Sequence, residues 1–192
     1  MKSILLSIKP KYVELIASGQ KTIEVRKTAP KEVPFKAYIY CTKEKKQDDI
    51  IWAGIFGDRG KWNGRVIGEF ICDRIEMVNA KCSDYGIDLF YHDCLTNGCL
   101  TEREIEKYFN VPEDRDLRAM KGNGYVWNIS DLKIYDKPKE LSEFSRPCSY
   151  SGLCFSCKRT SFKKDGNLLC NTKITRPPQS WCYVEELQEK QK

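Results

Sequence analysis

Long hydrophobic runs are missing from this 192-residue chain. Its uninterrupted apolar segments span only a few residues, for example at positions 4–6 and 50–53. A membrane-spanning helix needs about 20 apolar residues, and the core of a secretory signal peptide needs about 7–15. We therefore expect a cytoplasmic protein with no membrane association and no cleaved leader.

Histidine is almost absent as well, because His92 is the only one in the sequence. Ser–His–Asp and Cys–His catalytic arrangements need a histidine that is paired with a nucleophile and an acid. No such pattern surrounds His92, and the nearby Cys94 is not sufficient. The glycine-rich phosphate-binding motifs of the Walker and Rossmann types are also missing, and the glycines at 122 and 124 predict only a turn. We expect His92 to be a lone surface or partly buried side chain.

A strong charge imbalance is lacking too, since 33 basic and 27 acidic residues give a formal net charge of +6. Such an excess fits a solvated mixed surface as well as a nucleic-acid partner. The basic residues are nevertheless concentrated in two stretches. The first contains Lys9, Lys11, Lys21, Arg26, Lys27 and Lys31, and the second contains Lys158, Arg159, Lys163 and Lys164.

Hydrophobic residues make up 41% of the chain and charged residues 31%, which is typical of a globular protein. Residues 3–8 alternate like a half-buried strand, and Pro10 is suited to the first turn of a helix that ends at Gly19. Residues 22–26 predict a second strand. Ile23 and Val25 should face a core there, which places Glu24 and its even-numbered neighbours Thr22 and Arg26 on the other face.

Further local signals predict the remaining elements. Strands are expected at 37–41, 65–71, 125–129 and 181–184, and Pro138 should close the strand region. A helix is expected at 83–91, and the T-x-x-E capping box from Thr101 to Glu104 predicts another. Short strands with helices between them favour a mixed α+β fold, built on a small curved sheet or barrel.

The segment from Gly19 to Arg26 has the pattern G-x-K-T-x-E-x-R after a short helix. This pattern resembles the signature of the ASCH domain superfamily, which is related in fold to PUA domains. Segments at 5–10, 66–70 and 124–129 resemble other strands of that family, and 177–184 resembles a closing segment of its bacterial and phage members. The resemblance implies a small PUA-like β-barrel with flanking helices at 1–145, closed by a strand at about 177–186.

A strand that carries Lys21, Thr22, Glu24 and Arg26 could line a mixed-charge recognition cleft. Lysine and arginine hold phosphates or base edges, and a carboxylate accepts a hydrogen bond from an exocyclic amine. The alternative is an ion-pair cluster that only stabilises the sheet. With the family resemblance favouring a cleft, the predicted nucleic-acid contacts are Lys9, Lys21, Glu24, Arg26, Lys27, Lys158 and Arg159.

Some small ASCH proteins are amidohydrolases of acetylated cytidine that use a lysine and a threonine of this motif with a distal glutamate. The resemblance would make Lys21, Thr22 and Glu24 the catalytic candidates. However, the position of the nucleophilic threonine is occupied by Glu24, and Glu69 is not clearly at the place of the distal glutamate. We therefore expect no catalysis, and keep an N4-acetylcytidine amidohydrolase as the alternative.

Ten cysteines in a chain without a secretion signal predict metal binding rather than disulfides. Four of them have the spacing C-x5-C-x2-C-x12-C, in a stretch with little hydrophobic periodicity: Cys148, Cys154, Cys157 and Cys170. Four thiolates complete a tetrahedral, structural Zn²⁺ site. We expect a zinc-stabilised insertion at 146–175, with Cys182 as an alternative fourth ligand. Free thiols or an iron–sulfur cluster are the competing interpretations.

The sequence thus favours a non-catalytic protein that binds RNA or DNA, including single-stranded or modified forms, with an affinity that falls steeply as salt is added. A protein-interaction adaptor that docks through the zinc module is a further hypothesis. Among the aromatic residues, Trp127 is expected in the core. Phe155 and Phe162, inside the cysteine-rich stretch, are the expected exposed ones.

Overall fold

The computed structural model describes residues 1–43, 61–79, 87–111, 123–148, 160–162, 168–170 and 172–187. The helices described are α1 (Pro10–Ala17), α2 (Ile87–Leu95) and α3 (Glu102–Phe109), with a short 3-10 helix at Leu141–Glu143. The strands described are β1 (Lys2–Ile8), β2 (Ile23–Arg26), β3 (Phe35–Cys41), β4 (Val66–Cys72), β5 (Ile75–Asn79), β6 (Asn123–Asn128), β7 (Ser130–Lys139), β8 (Thr160–Phe162), β9 (Leu168–Cys170) and β10 (Trp181–Val184).

The strands form one five-stranded sheet and one three-stranded sheet. The larger sheet has the order β10-β1-β3-β4-β7, and the smaller has the order β2-β6-β5. Only the β1–β3 pair is parallel among the described pairs. Strands β8 and β9 form a separate hairpin. This architecture confirms the predicted mixed α+β fold. No described helix is long and apolar enough to cross a membrane.

Strand β1 is buried on both faces, so its predicted half-buried state is wrong. Ile4, Leu6 and Ile8 pack in a core cluster that includes α1, whereas Leu5 packs in another cluster with Val184 of β10. The alternation along β1 therefore separates two apolar environments instead of a core and solvent. Trp127 is fully buried, as predicted.

Helices α2 and α3 cover the smaller sheet. Ile23 and Val25 of β2 share a core cluster with Phe90 of α2 and with Phe109 of α3, so the predicted core face of β2 is confirmed. The capping box at Thr101 is confirmed, because its side chain accepts a hydrogen bond from the backbone N–H of Glu104, and the Glu104 carboxylate accepts one from the backbone N–H of Thr101. It fixes the start of α3.

Two strands of the main sheets were missed by the local signals, namely β5 and β7. Strand β7 runs past Pro138, which was expected to end the strand region. Because β7 is the outermost strand of the larger sheet on its side, a proline without an N–H group is tolerated there. The helix predicted at 83–91 is described from Ile87 to Leu95. Its expected first residues lie outside the described residues.

Candidate functional site

Three charged side chains of the G-x-K-T-x-E-x-R segment meet in the interior, and we call Lys21, Glu24 and Arg26 the charged cluster. Arg26 Nη2 lies 2.8 Å from Glu24 Oε1, and Lys21 Nζ lies 3.5 Å from Glu24 Oε2. Lys21, Glu24 and Arg26 are 2%, 6% and 8% exposed. Gly19, at φ +76°, ends the turn after α1, and the chain then enters β2 with Glu24 and Arg26 on one face.

The hydrogen bonds of the charged cluster are incomplete. Lys21 Nζ donates to the Gly98 carbonyl at 2.7 Å, and Arg26 Nη2 donates to the Ser7 carbonyl at 2.8 Å. In contrast, Arg26 Nε is buried without a hydrogen-bond partner, and Glu24 Oε2 has no hydrogen bond beyond its 3.5 Å ion pair with Lys21. Two cations also share one carboxylate, which leaves the cluster with a net charge of +1. Most buried polar atoms in folded proteins have at least one hydrogen-bond partner, so the unpartnered Arg26 Nε calls for an explanation.

The segment that precedes β10 covers the charged cluster. Arg26 Nη1 donates to Ser180 Oγ at 3.3 Å, and Ser7 Oγ donates to the Pro178 carbonyl at 2.7 Å. Lys21 Nζ lies 5.4 Å from the centroid of the Tyr12 ring. The structure thus buries all three side chains beneath this segment, and their role in lining a recognition cleft stays a prediction. Alternation along β2 indicated which side chains share a face, but it did not indicate that a distant segment covers them.

Tyr12 also connects the charged cluster to the start of α3. Its hydroxyl donates to Glu104 Oε1 at 2.8 Å, and Lys11 Nζ lies 2.8 Å from the same oxygen. Partial burial alone would raise the pKa of Glu104, but hydrogen bonds from Lys11, Thr101 and Tyr12 lower that pKa to about 2. Glu104 is thus held as a carboxylate that positions Tyr12 against Lys21.

We expect Glu104→Gln to lower the free energy of unfolding at neutral pH. Because the pKa of Glu104 falls from 4.5 to about 2 on folding, its carboxylate stabilises the fold at neutral pH. That contribution is lost as pH falls through this window. Urea unfolding at several pH values should show that the difference between Glu104→Gln and the unmodified chain shrinks below pH 4.5. Glu102→Gln, on the same helix turn, is the control, and an equally pH-dependent effect there would contradict the assignment.

Thr22 does not join the charged cluster. It precedes β2, its side chain is exposed, and it lines a separate hollow of about 230 Å³ together with Asn97 and Asn128. Of the three catalytic candidates, the structure therefore brings together Lys21 and Glu24 but not Thr22.

The remaining predicted contact residues lie on the surface or outside the described residues. Lys9 and Lys27 are exposed, and Lys27 Nζ lies 5.1 Å from the centroid of the Tyr108 ring. Lys158 and Arg159 fall outside the described residues. Glu69 is held by Lys36, at 3.6 Å, and by the hydroxyl of Tyr135. None of the contacts recorded for Glu69 joins it to the charged cluster.

Two of the four predicted zinc ligands are described. Cys148 and Cys170 are both exposed free thiols, whereas Cys154 and Cys157 lie outside the described residues. Across the described ranges, no group of three or more potential ligands could hold a metal ion. The only histidine, His92, is exposed as expected, and Cys94 is buried. Burial raises the pKa of the Cys94 thiol to about 12, so it is no nucleophile at neutral pH.

Several partners of the charged cluster were not found from the sequence. Ser7, Tyr12, Gly98 and Ser180 supply its contacts, and they come from four separate parts of the chain. The only local signal was the capping box, which fixes Glu104 and thereby Tyr12. The others depend on tertiary contacts that no local pattern encodes.

The chain matches one protein family and is similar to several solved structures. The sequence model described as ASCH domain matches residues 6–122, more than half of the chain. A serine-to-alanine mutant of the ZmASCH protein from Zymomonas mobilis has a similar structure, with a TM-score of 0.53 at 15% identity, over 96% of this chain and 89% of that chain. ASCH from the same organism gives a TM-score of 0.48 at 17% identity, with 96% and 89% covered.

The N-terminal domain of Staphylothermus marinus McrB is more distant. It gives a TM-score of 0.37 at 13% identity, over 72% of this chain and 76% of that chain. No curated protein sequence matches the chain. The similarity to the ZmASCH mutant concerns the fold alone.

Proposed function

This chain belongs to the ASCH domain family, and we propose that it is a non-catalytic nucleic-acid-binding protein. In this proposal the charged cluster of Lys21, Glu24 and Arg26 holds one base or one phosphate of the ligand. The observation that carries the proposal is the incomplete hydrogen bonding of a buried, net-positive cluster. A buried Arg26 Nε without a partner favours a ligand over a purely structural ion-pair network, because most buried donors have at least one partner.

The chemistry of the cluster suits a nucleotide. Arg26 Nε, which has no partner, can donate to a phosphate oxygen or to a carbonyl of a base. Glu24 Oε2, which has only the 3.5 Å ion pair with Lys21, can also accept from an exocyclic amine. A phosphate would also neutralise the second cation, since Lys21 and Arg26 share a single carboxylate. A simple anion would use only the cations and the donor of the cluster, whereas a nucleotide base can also use its acceptor.

Access to the cluster requires the covering segment to move. That segment is held by the Ser7–Pro178 bond and by the Arg26–Ser180 bond, which at 3.3 Å is longer than an ordinary bond of this kind. Binding therefore includes displacement of the segment before β10. An amidohydrolase receives less support, because Thr22 is exposed and lines a different hollow, whose lining does not include Lys21 or Glu24.

We expect Lys21→Met to weaken nucleic-acid binding by about 10–100-fold, since a hydrogen-bonded charged contact contributes roughly 1.5–3 kcal/mol. Methionine is an unbranched side chain that is one atom shorter and uncharged, and it leaves the Glu24–Arg26 pair in place. Titrations of labelled RNA and DNA at about 50 and 200 mM salt would measure both the affinity and its salt dependence.

The matched control is Lys137→Met, which removes an exposed lysine from β7 at the far side of the larger sheet. It should lower affinity little. If Lys21→Met folds normally by thermal denaturation and binds as tightly as the unmodified chain, the charged cluster is purely structural and the proposal fails.

The cysteine-rich insertion completes the proposed protein, with zinc held by Cys148, Cys154, Cys157 and Cys170. Two backbone contacts support this ligand set. A bridge pairs Ser145 with Lys173 in antiparallel fashion, and Arg146 N donates to the Thr172 carbonyl. Cys148 and Cys170 therefore lie on two neighbouring segments, each within a few residues of these contacts.

Cys182 is less suited to the fourth position. It packs against a core cluster, and burial raises the pKa of its thiol, which disfavours the thiolate that zinc requires. We therefore retain Cys148 as the fourth ligand.

A further inference from the structure

A groove with a volume of about 890 Å³ runs beside β10 on the surface of the molecule, and we call it the β10 groove. Its lining includes Lys2, Lys31, Arg146, Trp181 and Tyr183. We infer that the β10 groove binds a single-stranded nucleic acid, with bases stacked on the two aromatic rings and phosphates held by Lys31 and Arg146. The inference adds a second contact surface to the proposed function and does not depend on the charged cluster.

The two aromatic side chains are neighbours on one face of β10. Trp181 and Tyr183 are two positions apart, are both partly exposed, and have ring centroids 5.4 Å apart at an interplanar angle of 89°. The Trp181 ring also packs edge-on against buried Trp127, at 6.1 Å, and its Nε1 donates to Thr28 Oγ1 at 3.1 Å. Both rings are thus held in place before a ligand arrives, which lowers the entropy lost when a base stacks on them.

The charges around these rings are unbalanced. Lys31 and Arg146 are both exposed, and neither forms an ion pair with another of the described residues. The acidic residue of the lining, Glu186, is already held by Lys36 at 2.6 Å. Lys2 is the exception among the cations, because it pairs with Glu32 at 2.7 Å. The β10 groove therefore offers free positive charge beside its aromatic rings, which complements a phosphate backbone.

Aromatic rings next to free cations favour unpaired nucleic acid. Base stacking on aromatic side chains requires bases that are not already stacked and paired in a duplex, and it tolerates any sequence. A peptide added to the outer edge of β10 would be held mainly by backbone hydrogen bonds and would not need the free cations. The chemistry of the lining therefore points to single-stranded nucleic acid over a protein strand.

The β10 groove also adjoins the segment that covers the charged cluster. Ser180, which accepts from Arg26, is the residue directly before Trp181. A strand bound in the groove would therefore lie next to the segment that must move to open the cluster. The groove contacts and the cluster contacts are nevertheless made by different side chains, so each set can be removed alone.

The test measures binding of the full chain to a labelled single-stranded oligothymidylate of about 12 nucleotides, to the matched duplex and to polyglutamate. We expect the single strand to bind tightest. Tyr183→Leu should weaken it by about 10-fold, because one stacked base is lost while apolar bulk is kept. The double variant Lys31→Glu/Arg146→Glu should bind the single strand more weakly still. It should also reduce the magnitude of the negative slope of log affinity against log salt by about 1.4, since two phosphate contacts are lost.

A double variant at exposed sites away from the groove, Lys107→Glu/Lys137→Glu, is the matched control and should keep at least half of the affinity. If the groove variants bind the single strand weakly and Lys21→Met binds it normally, the inference is upheld and the cluster proposal is refuted. If only Lys21→Met binds weakly, the cluster proposal is upheld and the groove inference is refuted. Absence of single-strand binding, or equally tight binding of polyglutamate, would overturn the inference, the second result indicating an acidic protein partner.

Discussion

The substitution Glu24→Gln should lower the free energy of unfolding by about 3–5 kcal/mol, because removing one partner of a buried ion pair leaves charge without compensation. Here one carboxylate serves two cations, with Lys21 and Arg26 only 2% and 8% exposed. Neutralising Glu24 leaves both cations buried together. Urea-induced unfolding at neutral pH, followed by circular dichroism, measures the effect.

Lys21→Met should cost much less, since it leaves the Glu24–Arg26 pair at 2.8 Å with balanced charge. The double variant Lys21→Met/Glu24→Gln should be more stable than Glu24→Gln alone, because it removes one of the stranded cations. Glu32→Gln, which breaks the exposed Lys2–Glu32 pair, is the control and should have no measurable effect. A loss below about 1 kcal/mol for Glu24→Gln would mean that water reaches the cluster, and the buried description would be wrong.

The second large effect concerns the predicted metal. We expect one zinc ion per chain by elemental analysis of the purified protein, with a binding free energy on the order of 10 kcal/mol. Chelation should expose the thiols of Cys148, Cys154, Cys157 and Cys170 to alkylation. It should leave the melting of the two sheets largely unchanged, because their core clusters contain none of these cysteines.

Single substitutions separate the ligands from the other cysteines. Cys154→Ser should lose the metal, whereas Cys99→Ser, outside the insertion, should keep it. Cys182→Ser should also keep it, because this side chain packs against a core cluster. Loss of zinc in Cys182→Ser with retention in Cys148→Ser would reverse the assignment of the fourth ligand. A purified chain without stoichiometric metal would refute the site.

Local structure was predictable wherever a single stretch of sequence carries the cause. Gly19 ends the turn after α1 at positive φ, Thr101 and Glu104 form their capping box, and β10 spans the predicted residues Trp181–Val184. These features depend on backbone conformation and on neighbours within a few positions. The continuation of β7 past Pro138 was missed because a proline is excluded from a strand only when its N–H is needed, and that depends on sheet order.

The sequence predicted which charged side chains of β2 lie on one face, but not which distant residues cover them. The alternation of β2 brought Glu24 and Arg26 to one face, and their contact confirms that face. It could not show that Ser180 lies over Arg26, because contacts between residues 154 positions apart have no local signature. The same limit explains Thr22, which shares the parity of Glu24 but precedes the strand and is exposed.

The pairing of β10 with β1 at the edge of the larger sheet has a consequence for the order in which parts of the molecule fold. Strand β1 pairs with β10, and Ser7 contacts Pro178, a residue 171 positions later. During translation, Ser7 and Arg26 leave the ribosome long before their partners, so their polar groups stay hydrated in the nascent chain. The charged cluster is therefore completed only when the segment before β10 docks, and an amino-terminal fragment that ends before residue 178 lacks the contacts of Ser7 with Pro178 and of Arg26 with Ser180.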